Sequence, residues 1–292
     1  MSKRIHNELV GDTSKPSLLF TPSGVRLRRR VQGPGSFKWL LLPGGPGIGS
    51  ESLFELADAL DVPGTIWMVD LPGDGSNIDL PEPAGGYYRA WPQVLIEAAQ
   101  ALPNCVYVGH STGGMYLLSV PELETHLKGL VLIGSAPDAR WHARFVTMAG
   151  ENPLPAVNAA SERFEADKSA ENFRAIAVAA ADWSFTPDGL TAGRQLLARM
   201  PYNQAAVEWS EHNFDHTYAA AWWPQSLPTL ILSGAEDRIV AQDLWGDPRF
   251  QGENIMRTIV EDAGHFLWLE KPDQVRAAFS ALVTRLQATD QG

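Results

Sequence analysis

One cysteine, Cys105, is all that the 292 residues contain, so no disulfide can form within the chain and no thiolate cluster can hold a metal. Apolar runs are short, and none approaches the ~20 residues needed to cross a bilayer. The opening Met1-Ser-Lys-Arg-Ile-His-Asn carries positive charge with no apolar stretch behind it, unlike a secretory leader. Residues 1–15 read as a polar, frayed lead-in, and a cytoplasmic protein is expected. Positive charge is scarce as well: 23 Lys and Arg against 34 Asp and Glu leave a formal charge of -11. Such a surface attracts neither nucleic acid nor an anionic membrane. The basic run Arg26-Leu-Arg-Arg-Arg30 is the local exception, and its alternation suits a strand with one solvated face. Repeats are lacking. Among seven histidines, His212 and His216 stand four apart without a clear third ligand. They read as polar helix residues, so neither metal nor cofactor is expected.

What is present is ordinary for a globular chain, 45% hydrophobic and 20% charged, with length enough for one large α/β domain and an insertion or for two small domains. The organising stretch is residues 104–115, where an apolar run breaks at Gly109 and resumes as a small-residue helix start. It contains Gly109-His110-Ser111-Thr112-Gly113. This G-x-S-x-G pattern suits a sharp strand-to-helix turn that holds a serine hydroxyl above the sheet and aims a helix N-terminus at the same point. His110 is expected to point away from the site and to be structural.

Before that stretch, residues 17–20 and 24–31 read as antiparallel strands, and residues 37–42 as a buried strand ending in Pro43-Gly-Gly-Pro-Gly47. The Gly44 and Gly45 backbone there can complete, with the Thr112 amide, a site for a developing oxyanion. Residues 51–60 have helical spacing, with Ser50 available as N-cap. Residues 65–69 form the next strand, and Asp70 behind it is expected to hold its loop through backbone hydrogen bonds. A helix over 91–102 and strands over 106–108 and 129–133 continue a β-α alternation, which implies a mostly parallel sheet with helices on both faces. Residues 138–224 contain no good strand and three helical stretches, 175–183, 191–200 and 204–218. This segment reads as a helical cap inserted into a core formed by residues 1–137 and 225–292. Alternation resumes with strands over 228–232 and 256–260 and a last helix over 272–286.

A serine hydroxyl needs a base to take its proton, and that base needs a third group to fix its tautomer. Asp237 lies five residues past a strand ending at Leu232, and His265 follows the last strand in a glycine-turned loop. The order Ser, Asp, His is the one that accompanies this elbow. Asp138 and Glu236 are the lesser alternatives for the acid.

On these residues the chain resembles α/β-hydrolase fold proteins with a helical cap, over roughly residues 17–287. The resemblance implies a nucleophile at Ser111, an acid at Asp237, a base at His265 and oxyanion donors at Gly45 and Thr112. Pro43-Gly-Gly-Pro-Gly47 is similar to the H-G-G-P-G loop of proline iminopeptidase-like enzymes, with Pro43 where histidine is usual and Thr112 where tryptophan commonly follows the serine. Five tryptophans in the cap, Trp141, Trp183, Trp209, Trp222 and Trp223, suggest an apolar or aromatic acyl group. Trp209, Trp222 and Trp268 are the expected substrate contacts. Glu208, Glu211 and Asp215 share one face of a helix, where they read as a solvated acidic surface rather than as an ammonium pocket.

The expected activity is a serine hydrolase acting on a small ester or amide, as a monomer or homodimer with a small-molecule substrate as its partner. Cofactor-free lyase or oxygenase chemistry, a proline iminopeptidase-like aminopeptidase and a slow-turnover small-ligand receptor are the rival readings on the same fold.

Overall fold

The computed structural model describes residues 17–79 and 86–289; the expected lead-in over 1–15 lies outside them. Eight strands form one sheet: β1 (Leu18–Phe20), β2 (Arg26–Gln32), β3 (Lys38–Leu42), β4 (Thr65–Asp70), β5 (Cys105–His110), β6 (Leu127–Ile133), β7 (Thr229–Gly234) and β8 (Ile255–Val260). Their spatial order is β1-β2-β4-β3-β5-β6-β7-β8. β1 pairs antiparallel with β2 and β2 antiparallel with β4, and the remaining neighbours are parallel.

The near-continuous apolar strands follow from burial on both faces. Successive side chains point to opposite sides of a strand, so Leu40, Leu42, Tyr107, Leu130 and Leu132 enter one core with helix Trp91–Ala101. Trp39, Leu41, Val106, Val108, Val131 and Ile133 enter the other, against helices Phe54–Ala59 and Pro272–Thr289. Fully buried Leu and Phe side chains such as Leu282 and Phe279 each contribute about 2 kcal/mol through removal of apolar surface from water.

The connection from β6 to β7 is the long one, and it is helical. Six helices lie in it: Arg140–Glu151, Pro155–Ala166, Ala170–Ala179, Ala181–Ser184, Leu190–Ala198 and Gln204–Asn213. An isolated antiparallel bridge between Asp138 and Ala219 joins the two points where the chain leaves the sheet and returns. The Ala139 amide donates to Tyr218 and the Ala220 amide to Pro137, both at 2.8 Å. These bonds pair the outgoing and returning chains at the base of the segment.

Several local expectations are corrected. The first two of these helices were not expected; the first has no buried residue, and the second buries only Ala160 and Phe164. The helix expected over 204–218 stops at Asn213, which places Asp215 and His216 beyond it. Ser50 makes no side-chain cap; its hydroxyl instead accepts from the Arg28 guanidinium at 2.9 Å. The basic face of β2 is not simply solvated. Arg26 and Arg28 both reach the buried Asp70 carboxylate, at 3.1 and 2.9 Å, and Arg28 also pairs with Glu51 at 2.7 Å. Asp70 thus anchors its loop chiefly through two arginines, adding one backbone contact, the Ser50 amide at 3.2 Å.

Candidate active site

Strand β5 passes into helix Thr112–Leu118 with only Ser111 between them. Ser111 has φ 51° and ψ −126°, a left-handed conformation that a residue with a Cβ adopts only under constraint. The constraint is close packing: a Cβ at Gly109 would lie 2.6 Å from the Gly114 Cα, so strand and helix backbones nearly touch. The end of each strand is then stitched to the next. Ser111 N–H donates to Ile133 at 2.8 Å, Gly134 N–H to Leu232 at 2.9 Å and Ala235 N–H to Val260 at 2.9 Å. The loops after β5, β6, β7 and β8 consequently meet at one edge of the sheet.

At that edge Asp237 and His265 come together. The Asp237 side chain is fully buried and its Oδ2 lies 2.8 Å from His265 Nδ1. Its Oδ1 accepts the Ile239 and Val240 amides, each at 2.9 Å. This bonding assigns the proton to Nδ1 and leaves Nε2 for other work. The His265 amide donates to the Ser184 carbonyl at 2.8 Å. Gly134, at the end of β6, was not foreseen. A Cβ there would lie 3.1 Å from His265 Nδ1 and 3.3 Å from Asp237 Oδ2, so the glycine provides the space in which the pair sits.

His110 is a correction. It does not point away from His265; its ring centroid is 4.6 Å from that of His265, and its Nε2 lies 3.1 Å from the His265 carbonyl oxygen. Burial, reinforced by the neighbouring His265, pushes its pKa well down, so it stays neutral and backs the second imidazole without adding charge.

The loop after β3 closes the other side. A Cβ on Gly44 would lie 2.6 Å from the Ser111 Cβ, which sets that backbone directly against the serine. The Thr112 hydroxyl donates to the Gly45 carbonyl at 2.9 Å, fixing the Gly45 peptide beside the helix N-terminus. As the first helical residue, Thr112 has an amide with no intrahelical acceptor. Beneath the same loop is Asp74, which the sequence did not single out. It accepts the Gly75 amide at 2.7 Å and also the Gly47 amide, and burial raises its pKa to about 7.

Other expected residues are placed elsewhere. Asp138 accepts the Arg140 amide and guanidinium, which holds its carboxyl below the usual range. Glu236 is exposed and, with Arg238, lines a cleft of about 420 Å³ against Phe185 and Thr186 of the inserted segment. Trp222 and Trp268 are buried in the core. Trp222 donates its indole N–H to the Leu117 carbonyl at 2.9 Å, and Trp268 stands edge-on to His110, one layer removed from His265. Trp209 packs on Tyr88 and Trp91 around an apolar crevice of about 40 Å³ that also touches Tyr116 of the elbow helix. Glu208 and Glu211 are exposed, while Asp215 accepts the Ser210 hydroxyl at 2.9 Å and its pKa is raised by burial. The three do not share a helix face. Among the described residues, no group of three or more His, Cys, Asp or Glu is placed to hold a metal, and no helix is long and apolar enough to cross a membrane.

Comparison with known proteins gives a consistent setting. The profile of the "Alpha/beta hydrolase family" matches residues 39–278. A protein of Xylella fastidiosa (strain M12) named pimeloyl-[acyl-carrier protein] methyl ester esterase is 33% identical over 98 residues, 34% of this chain and 36% of that one. The match thus spans about a third of that relative. A protein of the same name from Stenotrophomonas maltophilia (strain R551-3) is 27% identical over 255 residues, 84% of this chain and 91% of its own. Among solved structures, a proline iminopeptidase-related protein from Thermus thermophilus superposes with TM-score 0.69 at 22% identity, covering 92% of this chain and 97% of that one. A thermophilic esterase from Thermogutta terrifontis gives 0.63 at 20% identity, covering 92% and 97%. At such identities these two likenesses speak to the fold alone.

Proposed function

The chain belongs to the alpha/beta hydrolase family, and from that premise we propose that it is a carboxylic ester hydrolase working through an acyl-enzyme on Ser111. The observation that carries the reading is the His265 Nδ1 contact with Asp237 at 2.8 Å, at the sheet edge where Ser111 is held in its strained turn. In this mechanism Asp237 fixes the imidazole tautomer, so that Nε2 removes the Ser111 proton as Oγ attacks the ester carbonyl. The Gly45 and Thr112 amides, with Gly44 alongside, receive the charge that develops on the carbonyl oxygen. Collapse of the tetrahedral species breaks the ester C–O bond, and the proton on Nε2 passes to the leaving alkoxide. A water molecule, deprotonated by the same nitrogen, then releases the acid and restores Ser111.

Residues 138–224 act in this reading as a cap that shapes the acyl pocket. The relatives named for a methyl ester of an acyl group favour small alkyl esters as the substrate class. A free-amine substrate is disfavoured because burying an ammonium group requires paired carboxylates. Glu208 and Glu211 lie exposed in the cap and Asp215 is occupied by Ser210.

The test is a panel of chromogenic esters, amides and prolyl amides run beside Ser111→Ala, with a fluorophosphonate probe as covalent label. Ester turnover and stoichiometric labelling, both lost in Ser111→Ala, are expected. Labelling that survives in Ser111→Ala would remove the nucleophile assignment.

A further inference from the structure

The loop carrying His265 is fastened to the inserted segment at several points. Besides the His265 amide on the Ser184 carbonyl, the Phe185 ring stacks on Phe266 with centroids 5.1 Å apart and planes 19° apart. Gly264 admits no side chain, since a Cβ would lie 2.5 Å from the Ser184 oxygen. At the centre of the junction is Glu270, the last residue of the short helix Leu267–Glu270. Its Oε2 accepts the Gly264 amide at 2.7 Å. Its Oε1 accepts both the amide and the hydroxyl of Thr186, at 2.8 and 2.6 Å. One carboxylate therefore gathers two donors from the insertion and one from the residue preceding His265. Hydrogen bonds to an ionised acceptor are short and strong, so the carboxylate joins the two segments rigidly.

We propose that Glu270 is a positioning residue that couples the seating of the cap to the placement of the His265 imidazole. Thr186 fixes the carboxylate, the carboxylate fixes the Gly264 amide, and the peptide that follows fixes the backbone from which the base projects. Movement of the Thr186 segment pulls on the base, so proton transfer is competent only with the cap seated. The proposal rests on the reading of His265 as the general base.

The experiment measures turnover per fluorophosphonate-titrated site on two esters, a minimal acetate that needs little of the cap and a bulky acyl ester. Glu270→Gln keeps the volume but turns an NH2 toward a donor. Gly189→Ala keeps the carboxylate charge and displaces it, because the new Cβ would lie 2.6 Å from Glu270 Cγ and 2.7 Å from Cδ. Thr186→Val removes only the cap-side hydroxyl. Displacing a catalytic group by about 1 Å costs on the order of a hundredfold. For Glu270→Gln a loss approaching that in kcat is expected on both esters, with KM for acetate unchanged. Gly189→Ala and Thr186→Val should each lower kcat on acetate by about three- to tenfold, in proportion to smaller displacements.

If Glu270 merely holds the cap, acetate turnover stays at the wild-type level and only KM for the bulky ester rises; that result overturns the proposal. Should Glu270→Gln fail to fold, the other two variants decide alone, and unchanged kcat on acetate in both refutes the coupling. Undiminished turnover in Ser111→Ala would overturn the reading of the site and the coupling with it. Loss in Ser111→Ala together with wild-type kcat in the Glu270-directed variants would overturn the coupling only.

Discussion

Replacing Gly134 by alanine tests whether the space beside the Asp237–His265 pair is functional. The perturbation has two parts. Gly134 has φ +52°, a region that costs a residue with a Cβ roughly 1–2 kcal/mol, so the melting temperature should fall by roughly 2–6 °C. The second part is steric. The added methyl would sit 3.1 Å from His265 Nδ1, 3.2 Å from Cε1 and 3.3 Å from Asp237 Oδ2, whereas carbon contacts are comfortable at about 3.5–4.0 Å. The imidazole must give way by about half an ångström, which on a scale of a hundredfold per ångström lowers kcat by about tenfold. Turnover of a minimal acetate ester, normalised to titrated sites, gives kcat, and a thermal melt gives the stability change. Gly150→Ala is the control, because nothing lies within 4 Å of a Cβ there. A variant that melts early but turns over at the wild-type rate would refute the steric argument and leave Gly134 a purely backbone requirement.

Three further outcomes are expected. Asp237→Asn should lower kcat by about 10⁴-fold with the fold intact, while Asp138→Asn, whose carboxylate belongs to Arg140, should change it little; steady-state kinetics with circular dichroism ranks the two, and the reverse order would move the acid to the end of β6. Trp222→Ala should destabilise by about 3–5 kcal/mol in chemical denaturation without reordering acyl preference, whereas Trp209→Ala should reorder it by enlarging the crevice beside Tyr116; equal losses on every ester in both variants would make Trp209 a packing residue only. Asp74 has its pKa raised to about 7 from an ordinary 3.8, so the folded state holds its proton where the unfolded state has lost it, and this contribution to stability is present below the unfolded pKa and declines as pH rises through the folded value. Denaturation midpoints of Asp74→Asn should lack that decline between pH 4 and 7, and a slope equal to wild type would show that the Asp74 carboxyl is not protonated when folded.

The strands and the loops that end them were legible because buried parallel strands are apolar runs bounded by glycine and proline, and their C-terminal ends collect function. Asp237 could be named because it follows such a run, and His265 because its glycine-turned loop follows the last strand, an edge strand that is only partly buried. Their neighbours could not. Gly134 follows β6 as an unremarkable glycine, and its importance comes from Asp237 and His265 folding over it. Glu270 looks like the end of a short helix, and its partners Thr186 and Gly264 lie in different segments. His110 was misjudged because the direction of a side chain at a strained turn depends on tertiary packing against Phe266 and Trp268. An aromatic residue in an insertion can serve the seam with the core as readily as a ligand, and sequence alone does not separate the two; Trp222 is buried against Leu117.

The bridge between Asp138 and Ala219 has a consequence for how this architecture can vary. The outgoing and returning chains are paired at one point, and above it the insertion packs Ala181, Phe185, Leu196, Leu197 and Met200 into the same core as the sheet. The entropy of closing a flexible loop grows only with the logarithm of its length, so doubling an unpacked stretch adds about 0.6 kcal/mol of closure cost. Extra length is therefore cheap only where it touches neither the core nor the His265 loop, while the buried residues of the insertion are fixed by the sheet they cover. What the contacts constrain in the insertion is less its length than where its chain crosses the loop that carries His265, at Ser184, Phe185 and Thr186.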